Sequence, residues 1–428
     1  MKISTLREFE SNATNNKAKW SALAVLALTL LTGAAAHAQT FSVIHAFNGW
    51  DGAWPESGVT IRGNTLYGTT PDSCVQQCIV GPGSVYQIAH VGSSWITTPF
   101  FFFPSDWSGG SVPTSVVQFG PDGHLYGTTP YGGNSIGGVV FSLIPPASVC
   151  KTTRCVTEKI LYTFTGPPDG REPYHTNLVW DSTGNMFGTT QIGGTSDQGT
   201  VFEMTKSGDN WTEMPIHSFN GSDGQFPGEI LRDNNGKLFG MLSQGGLHGF
   251  GSVFELTYLN GVGWTETNIY DFQESNDGGF PSAGLVQDSA GNLYGSTGDG
   301  GSGGGGTLFK LSPMGNTWAY TLLYSFSGDT GCGPLATLAL DGAGNLYGTT
   351  YCGGANKQGN VFKLANTPNG WVYSSLYDFT RGTDGGWPLG AVSIDTDGTL
   401  YGTTRFGGNL QGACGANGGC GVVWMIKP

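Results

Sequence analysis

From position 41 to its end, the chain alternates short apolar runs with turn-forming residues. Runs such as VFEL at 253–256, LFKL at 308–311 and LYSF at 323–326 are four to seven residues long, and Gly, Asn and Asp clusters bound them. None extends into the i, i+3, i+4, i+7 spacing of an amphipathic helix. Enrichment in Val, Phe, Tyr and Thr predicts strands instead. The connecting strings DSTGN, DSAGN and DGAGN place Gly or Asn where a tight hairpin requires a positive φ.

The runs recur at a period. A string of the form [LM]-[YF]-G sets its aromatic at Tyr67, Tyr126, Phe187, Phe239, Tyr294, Tyr347 and Tyr401, at intervals of 52 to 61 residues. Pro55, Pro113, Pro173, Pro227, Pro281, Pro334 and Pro388 precede these aromatics by 12 to 14 positions. Five of the prolines close a DGxxP string, with Asp51, Asp169, Asp223, Asp277 and Asp384. A Gly-Gly loop, a VFxL run and a Trp-led stretch ending in LYxF complete the unit. Each unit holds four strands, and seven units give about 28, too many edges to leave open in water. Four-stranded sheets repeated radially solve that problem, so the fold class predicted is all-β, a seven-bladed β-propeller of antiparallel blades. The run FSVIHAF at 41–47 matches the last strand of a unit, and GVVWMI at 421–426 matches the third. Pairing of these N- and C-terminal strands would close the ring. The expected order from the axis outward is xxLxxD, LYGTT, VFxL, LYxF.

Alternation within LYGTT puts Tyr and the first Thr on one side and Leu, Gly and the last Thr on the other. The expectation is packing: the aromatic fills the wedge between blades, and Gly lets the next sheet come close. Seven similar copies argue against a ring of functional hydroxyls, since a site breaks symmetry.

Composition changes this picture little. Of 428 residues 73 are Gly, and their fixed positions read as turn chemistry rather than disorder. Charged residues make up only 11%. The N-terminus reads as an export signal over 1–38: Lys2, Arg7, Lys17 and Lys19, then SALAVLALTLLTG at 21–33, then AHA at 36–38. Residues 39–428 would form a single propeller domain, periplasmic or extracellular, monomeric and with no membrane span after cleavage. That part carries 14 basic and 29 acidic residues, a net charge of −15. Such a surface repels phosphate backbones and excludes nucleic acid as a partner.

Eight cysteines in an exported chain suggest disulfides. Three pairs are local: Cys74 with Cys78, Cys150 with Cys155, and Cys414 with Cys420. The fourth joins Cys332 to Cys352, which the strand order sets at the same end of neighbouring strands.

Candidate chemistry is sparse. Trp54, Phe226, Phe280 and Trp387 directly precede repeat prolines, and with Asp51, Asp223, Asp277 and Asp384 they mark a candidate ligand face. Aromatic plates beside carboxylates suit sugars, although packing and Asx turns account for the same residues. The Cys-bounded loops CVQQC at 74–78 and CGANGGC at 414–420 are expected on that face. The histidines have no H-E-x-x-H spacing, and no G-x-S-x-G string occurs. GDGGSG at 298–303 precedes a strand rather than a helix, which rejects a dinucleotide site. The sequence thus gives no catalytic residues, metal ligands or cofactor.

The repeat DGxxPxxxLxxDxxGNLYGTTxxGGxxxxGTVFxL resembles the GloVer tandem-repeat family of exported bacterial proteins, across nearly all of 41–428. The resemblance implies a propeller-like repeat and export, and it carries no activity or catalytic residues. Unit one departs with PDSCVQQC in place of the Gly-Gly loop, and unit two with WSGGSVP in place of DGxxP. The leading functional expectation is a binding or scaffold module for extracellular glycan or another envelope protein. A polysaccharide lyase or hydrolase working in the central funnel, and a structural envelope or matrix component, are the alternatives. Three or more ionisable side chains converging at one funnel mouth would favour the enzyme.

Overall fold

A computed structural model describes residues 39–73, 81–135, 137–144, 156–411 and 413–428. The expected export signal over 1–38 lies outside the described residues, as do Cys74, Cys78, Cys150 and Cys155. Residues Phe41–Lys427 form one compact unit.

That unit holds seven antiparallel four-stranded sheets. Blade 6 shows the plan: Ala339–Leu340, Leu346–Thr350, Asn360–Thr367 and Gly370–Asp378 pair in chain order. Blade 7 takes three strands from the C-terminal end, Ser393–Ile394, Leu400–Thr404 and Val422–Lys427, and its outer strand, Thr40–Ala46, from the N-terminal end. The Phe47 N–H bonds the Gly421 carbonyl at 3.0 Å at this seam. Ring closure and strand order are therefore as the repeat predicts. Residues just before or within the first strand of every blade line one central cavity, so the short first strand is the innermost.

Two joints recur around the ring. The residue before each repeat proline has φ between 54° and 60°, and only Gly333 of the seven is glycine. Holding a side chain in that left-handed region costs about 1 kcal/mol or more. The amide compensates by bonding a carbonyl of the preceding blade, as in Trp387 to Gln358 at 2.9 Å and Trp54 to Cys420 at 2.8 Å. The second joint is aromatic. Phe187, Phe239, Tyr294 and Tyr401 each meet a tryptophan of the next blade edge to face, at 5.8 to 6.1 Å in Phe187–Trp264, Phe239–Trp318, Tyr294–Trp371 and Tyr401–Trp95. Such pairs contribute roughly 0.5–1.5 kcal/mol beyond their buried area. The aromatic thus fills the wedge, as expected. The first Thr of the string also serves the joint: the Thr189 hydroxyl donates to Gly228 carbonyl at 2.8 Å and that of Thr403 to Ser57 carbonyl at 2.8 Å.

The repeat glycine has a different neighbour from the one expected. It makes room not for the next sheet but for an aromatic of its own sheet. Gly348 pairs with Phe362 and Gly402 with Trp424, and those fully buried rings lie over the glycines. Period two fixes the face on which Gly sits, and the large cross-strand partner occupies that face first.

Cys332–Cys352 and Cys414–Cys420 are bonded, with Cα atoms 4.9 and 5.1 Å apart. Among the described residues no helix is long and apolar enough to cross a membrane.

Candidate functional site

The symmetry breaks at the axis. In most blades the two residues after the repeat proline are small or aliphatic, such as Ser282-Ala283, Leu335-Ala336 and Leu389-Gly390. Blade 1 has Glu56, blade 3 has Tyr174-His175 and blade 4 has Glu229. These positions lie just before or within the innermost strands, and Glu56, His175 and Glu229 line the central cavity of about 290 Å³.

Glu56 is the hub. It is only 6% exposed, and its Oε1 lies 3.2 Å from Nε of Arg405. The Tyr174 hydroxyl donates to Oε2 at 3.5 Å, and Nε2 of His175 stands 3.8 Å from the same oxygen. Arg405 directly follows the second strand of blade 7, and its guanidinium lies 5.4 Å from the Phe406 ring centre. Blade 3 has one extra residue between its proline and its core leucine, Leu178, compared with Pro55 and Val59 in blade 1. His175 takes up the excess with φ of 45° and packs edge-on against Tyr174 at 4.2 Å. Elsewhere in the cavity, Glu229 accepts a hydrogen bond from the Thr337 hydroxyl at 2.7 Å, and Thr337 accepts one from the Gly284 amide at 2.7 Å.

Confinement moves the acid and the base of this cluster in opposite directions. Burial raises the Glu56 carboxyl above its usual range, and Arg405 and the Tyr174 hydroxyl oppose that. Burial also raises Glu229, against the Thr337 hydrogen bond. The channel walls push His175 down to about 4, with Arg405 adding to the effect. At neutral pH the imidazole is uncharged and can both donate and accept. Two carboxylates and a neutral imidazole therefore face one ring-sized space, with the Arg405 guanidinium and the Tyr174 phenol set against Glu56 behind them.

The residues singled out from sequence fall elsewhere. Trp54, Phe226, Phe280 and Trp387 are half-buried, one on each of four blade joints, at the left-handed positions described above. Trp54 donates its indole N–H to Gly419 carbonyl at 3.2 Å, within the Cys414–Cys420 loop. Phe280 packs on Phe250 at 5.7 Å, and Trp387 on Phe406 at 5.1 Å, with Arg381 4.4 Å over its ring. The aspartates close turns. Asp51 accepts from the Asn48 amide at 2.9 Å, Asp223 from the Asn220 amide at 2.9 Å, Asp277 from the Gln273 amide at 3.1 Å and Asp384 from the Thr380 amide at 2.8 Å. The structure brings none of these eight into the Glu56 cluster. Glu56, Tyr174, His175, Glu229 and Arg405 were not singled out from the sequence. For Glu56, Tyr174, His175 and Glu229 the signal was ionisable or aromatic residues at positions that most units fill with small or aliphatic ones, whereas Arg405 stands at a variable position that also holds Gln191 and Tyr351.

Fold and site together define a seven-bladed propeller with a largely apolar axial pocket into which Glu56, His175 and Glu229 project. The Gloeobacter/Verrucomicrobia repeat matches residues 151–330 and 263–428, and the chain belongs to that family. A search of the curated proteins returned no match. Among solved structures, the extracellular domain of a hybrid two-component system from B. thetaiotaomicron is similar with a TM-score of 0.54 at 12% identity, covering 91% of this chain and 42% of that one. A gluconolactonase from Xanthomonas campestris is similar with a TM-score of 0.43 at 10% identity, covering 90% of this chain and 98% of that one. Likenesses at these identities concern the fold alone.

Proposed function

We propose that this protein is an exported binding module whose axial pocket takes a small polyhydroxylated ligand, a sugar unit of an extracellular glycan. The observation that carries the reading is the convergence of Glu56, Tyr174, His175 and Arg405 at the axial end of blades 1, 3 and 7, where these units depart from the repeat. A buried carboxylate paired with a guanidinium, beside a neutral imidazole and a phenol, provides donors and acceptors in the alternation that adjacent hydroxyls need. The cavity of about 290 Å³ stands at the small end of the ~300–1,000 Å³ usual for ligand sites. It suits one ring rather than a long chain. The two described disulfides fit work outside the cytoplasm, and we take the module to act there as a monomer facing glycan or another envelope protein.

A glycan array followed by titration calorimetry on residues 39–428 tests this. Glu56→Gln and Arg405→Ala should each weaken binding at least tenfold, while deletion of 414–420 tests the contribution of the rim loop. Binding indifferent to both point variants would refute the axial site.

One observation favours a lyase or hydrolase: Glu56, His175 and Arg405 meet the criterion of three convergent ionisable groups at one mouth. A raised carboxyl beside a lowered imidazole is also how acid and base roles are separated. Turnover of the bound glycan, abolished by Glu56→Gln, would establish that reading over simple binding.

A further inference from the structure

Away from the axis, three metal-ligating side chains meet at the joint of blades 3 and 4. His217 lies near the end of the outer strand of blade 3, Asn210–Ser218, and Asp223 closes the turn after it. Glu266 comes from the outer strand of blade 4, Gly263–Asp271. One ligand atom of each lies within 4.8 Å of the other two, and no other such trio occurs among the described residues. Nε2 of His217 is 3.1 Å from Oδ2 of Asp223, and these side chains are only 21% and 15% exposed. Oε1 of Glu266 is shut off from solvent and has no hydrogen-bond donor. Oδ1 of Asn268, two residues along the same strand, is in the same condition.

Other joints show what the fold alone requires. Between blades 2 and 3 the equivalent residues are Tyr162, Asp169 and Glu213, where the tyrosine hydroxyl donates to Asp169 at 3.0 Å. Two further joints carry stacked rings there, Tyr270 on Tyr320 and Tyr324 on Tyr373. His45 pairs with Asp51 at 3.0 Å, so a histidine–aspartate pair alone is a turn staple. Among the described residues, only at His217 does an imidazole meet two carboxylates.

We propose that this joint binds one zinc-class divalent ion through His217, Asp223 and Glu266. An imidazole nitrogen and two carboxylate oxygens are a donor set for such ions, with a fourth position left for water. Donors ~2.0–2.1 Å from a tetrahedral zinc stand about 3.3 Å apart. The His217–Asp223 distance already matches, and Glu266 reaches the rest by rotating its side chain. The ion would tie the outer edges of two blades together. This site is independent of the axial pocket and of the function proposed for it.

The test is titration of the untagged, metal-stripped chain with Zn²⁺, with Co²⁺ as a spectroscopic substitute. One ion per chain is expected, and Glu266→Gln should weaken uptake at least tenfold. His217→Tyr should do the same while folding normally, because it installs the residue that blade 2 carries at the same place. Glu213→Gln should leave uptake unchanged. No uptake by the parent chain, or uptake undiminished in both His217→Tyr and Glu266→Gln, would overturn the proposal.

Discussion

Replacing Gly348 by alanine isolates one contact that every blade repeats. A methyl added there would stand 2.6 Å from Cζ of Phe362, 2.9 Å from Cδ2 of Leu338 and 3.0 Å from Cε1 of Phe362. Carbon atoms rest comfortably at ~3.5–4.0 Å, so the ring must move by about 1 Å. It has little room, being fully buried and set edge-on to Phe326 at 5.2 Å. Overpacking of this kind costs about 1–3 kcal/mol. Six residues earlier in the same string, Gly342 has nothing within 4 Å of an added methyl, and its φ is not positive. Alanine there should be neutral, or stabilise by roughly 0.4–1 kcal/mol through the unfolded chain. Urea unfolding followed by tryptophan fluorescence reads both, provided the m-value is unchanged. Adding Phe362→Leu to Gly348→Ala should recover part of the loss, with a coupling of about 1 kcal/mol or more. If Gly348→Ala is as stable as the parent, or if Phe362→Leu brings no relief, the account of the repeat glycine is wrong.

Two more outcomes are expected. Burial, with Asp169 adding, pushes the Glu213 carboxyl up to about 8, against the Tyr162 hydrogen bond. Because the folded form holds this proton more tightly than the unfolded chain, the group stabilises the fold fully below the ordinary glutamate range. That contribution is lost as pH rises towards 8. Glu213→Gln should therefore flatten stability between pH 4.5 and 8, measured by urea midpoints at each pH, and an unaltered slope would contradict the shift. Deleting the described N-terminal residues through Ala46 removes the partner of Val422–Lys427 and the Phe41 ring stacked 3.6 Å from Tyr377. Size-exclusion chromatography should then show association through the exposed edge, and a monomer with native circular dichroism would count against closure by that strand.

Most of the fold was legible because its signals are local and repeated. Pro388 and Tyr401 keep the spacing of their counterparts, and the run at 421–426 keeps the VFxL pattern after the inserted CGANGGC, so blade number, strand order and the closing pair followed from the repeat. The Cys332–Cys352 bond followed from the same strand order. The axial cluster was not legible, for two physical reasons. Glu56 and Arg405 lie near opposite ends of the chain and become neighbours only when the ring closes. His175 enters through a one-residue excess in blade 3, which shows in the sequence only as the long spacing from Pro173 to Phe187 and does not point to any one residue. The aspartates stood out for the opposite reason: a turn that must form in blade after blade repeats its cap, and repetition draws the eye towards structure.

The seam in blade 7 also sets an order on events. Its outer strand is made before its other three, so the wheel stays an open arc until Val422–Lys427 has been synthesised. Until that strand pairs with Thr40–Ala46, the last blade keeps an unpaired edge, and the lock that completes the wheel is the final one to form. Cooperative stability would then arrive all at once, with the closing strand rather than blade by blade.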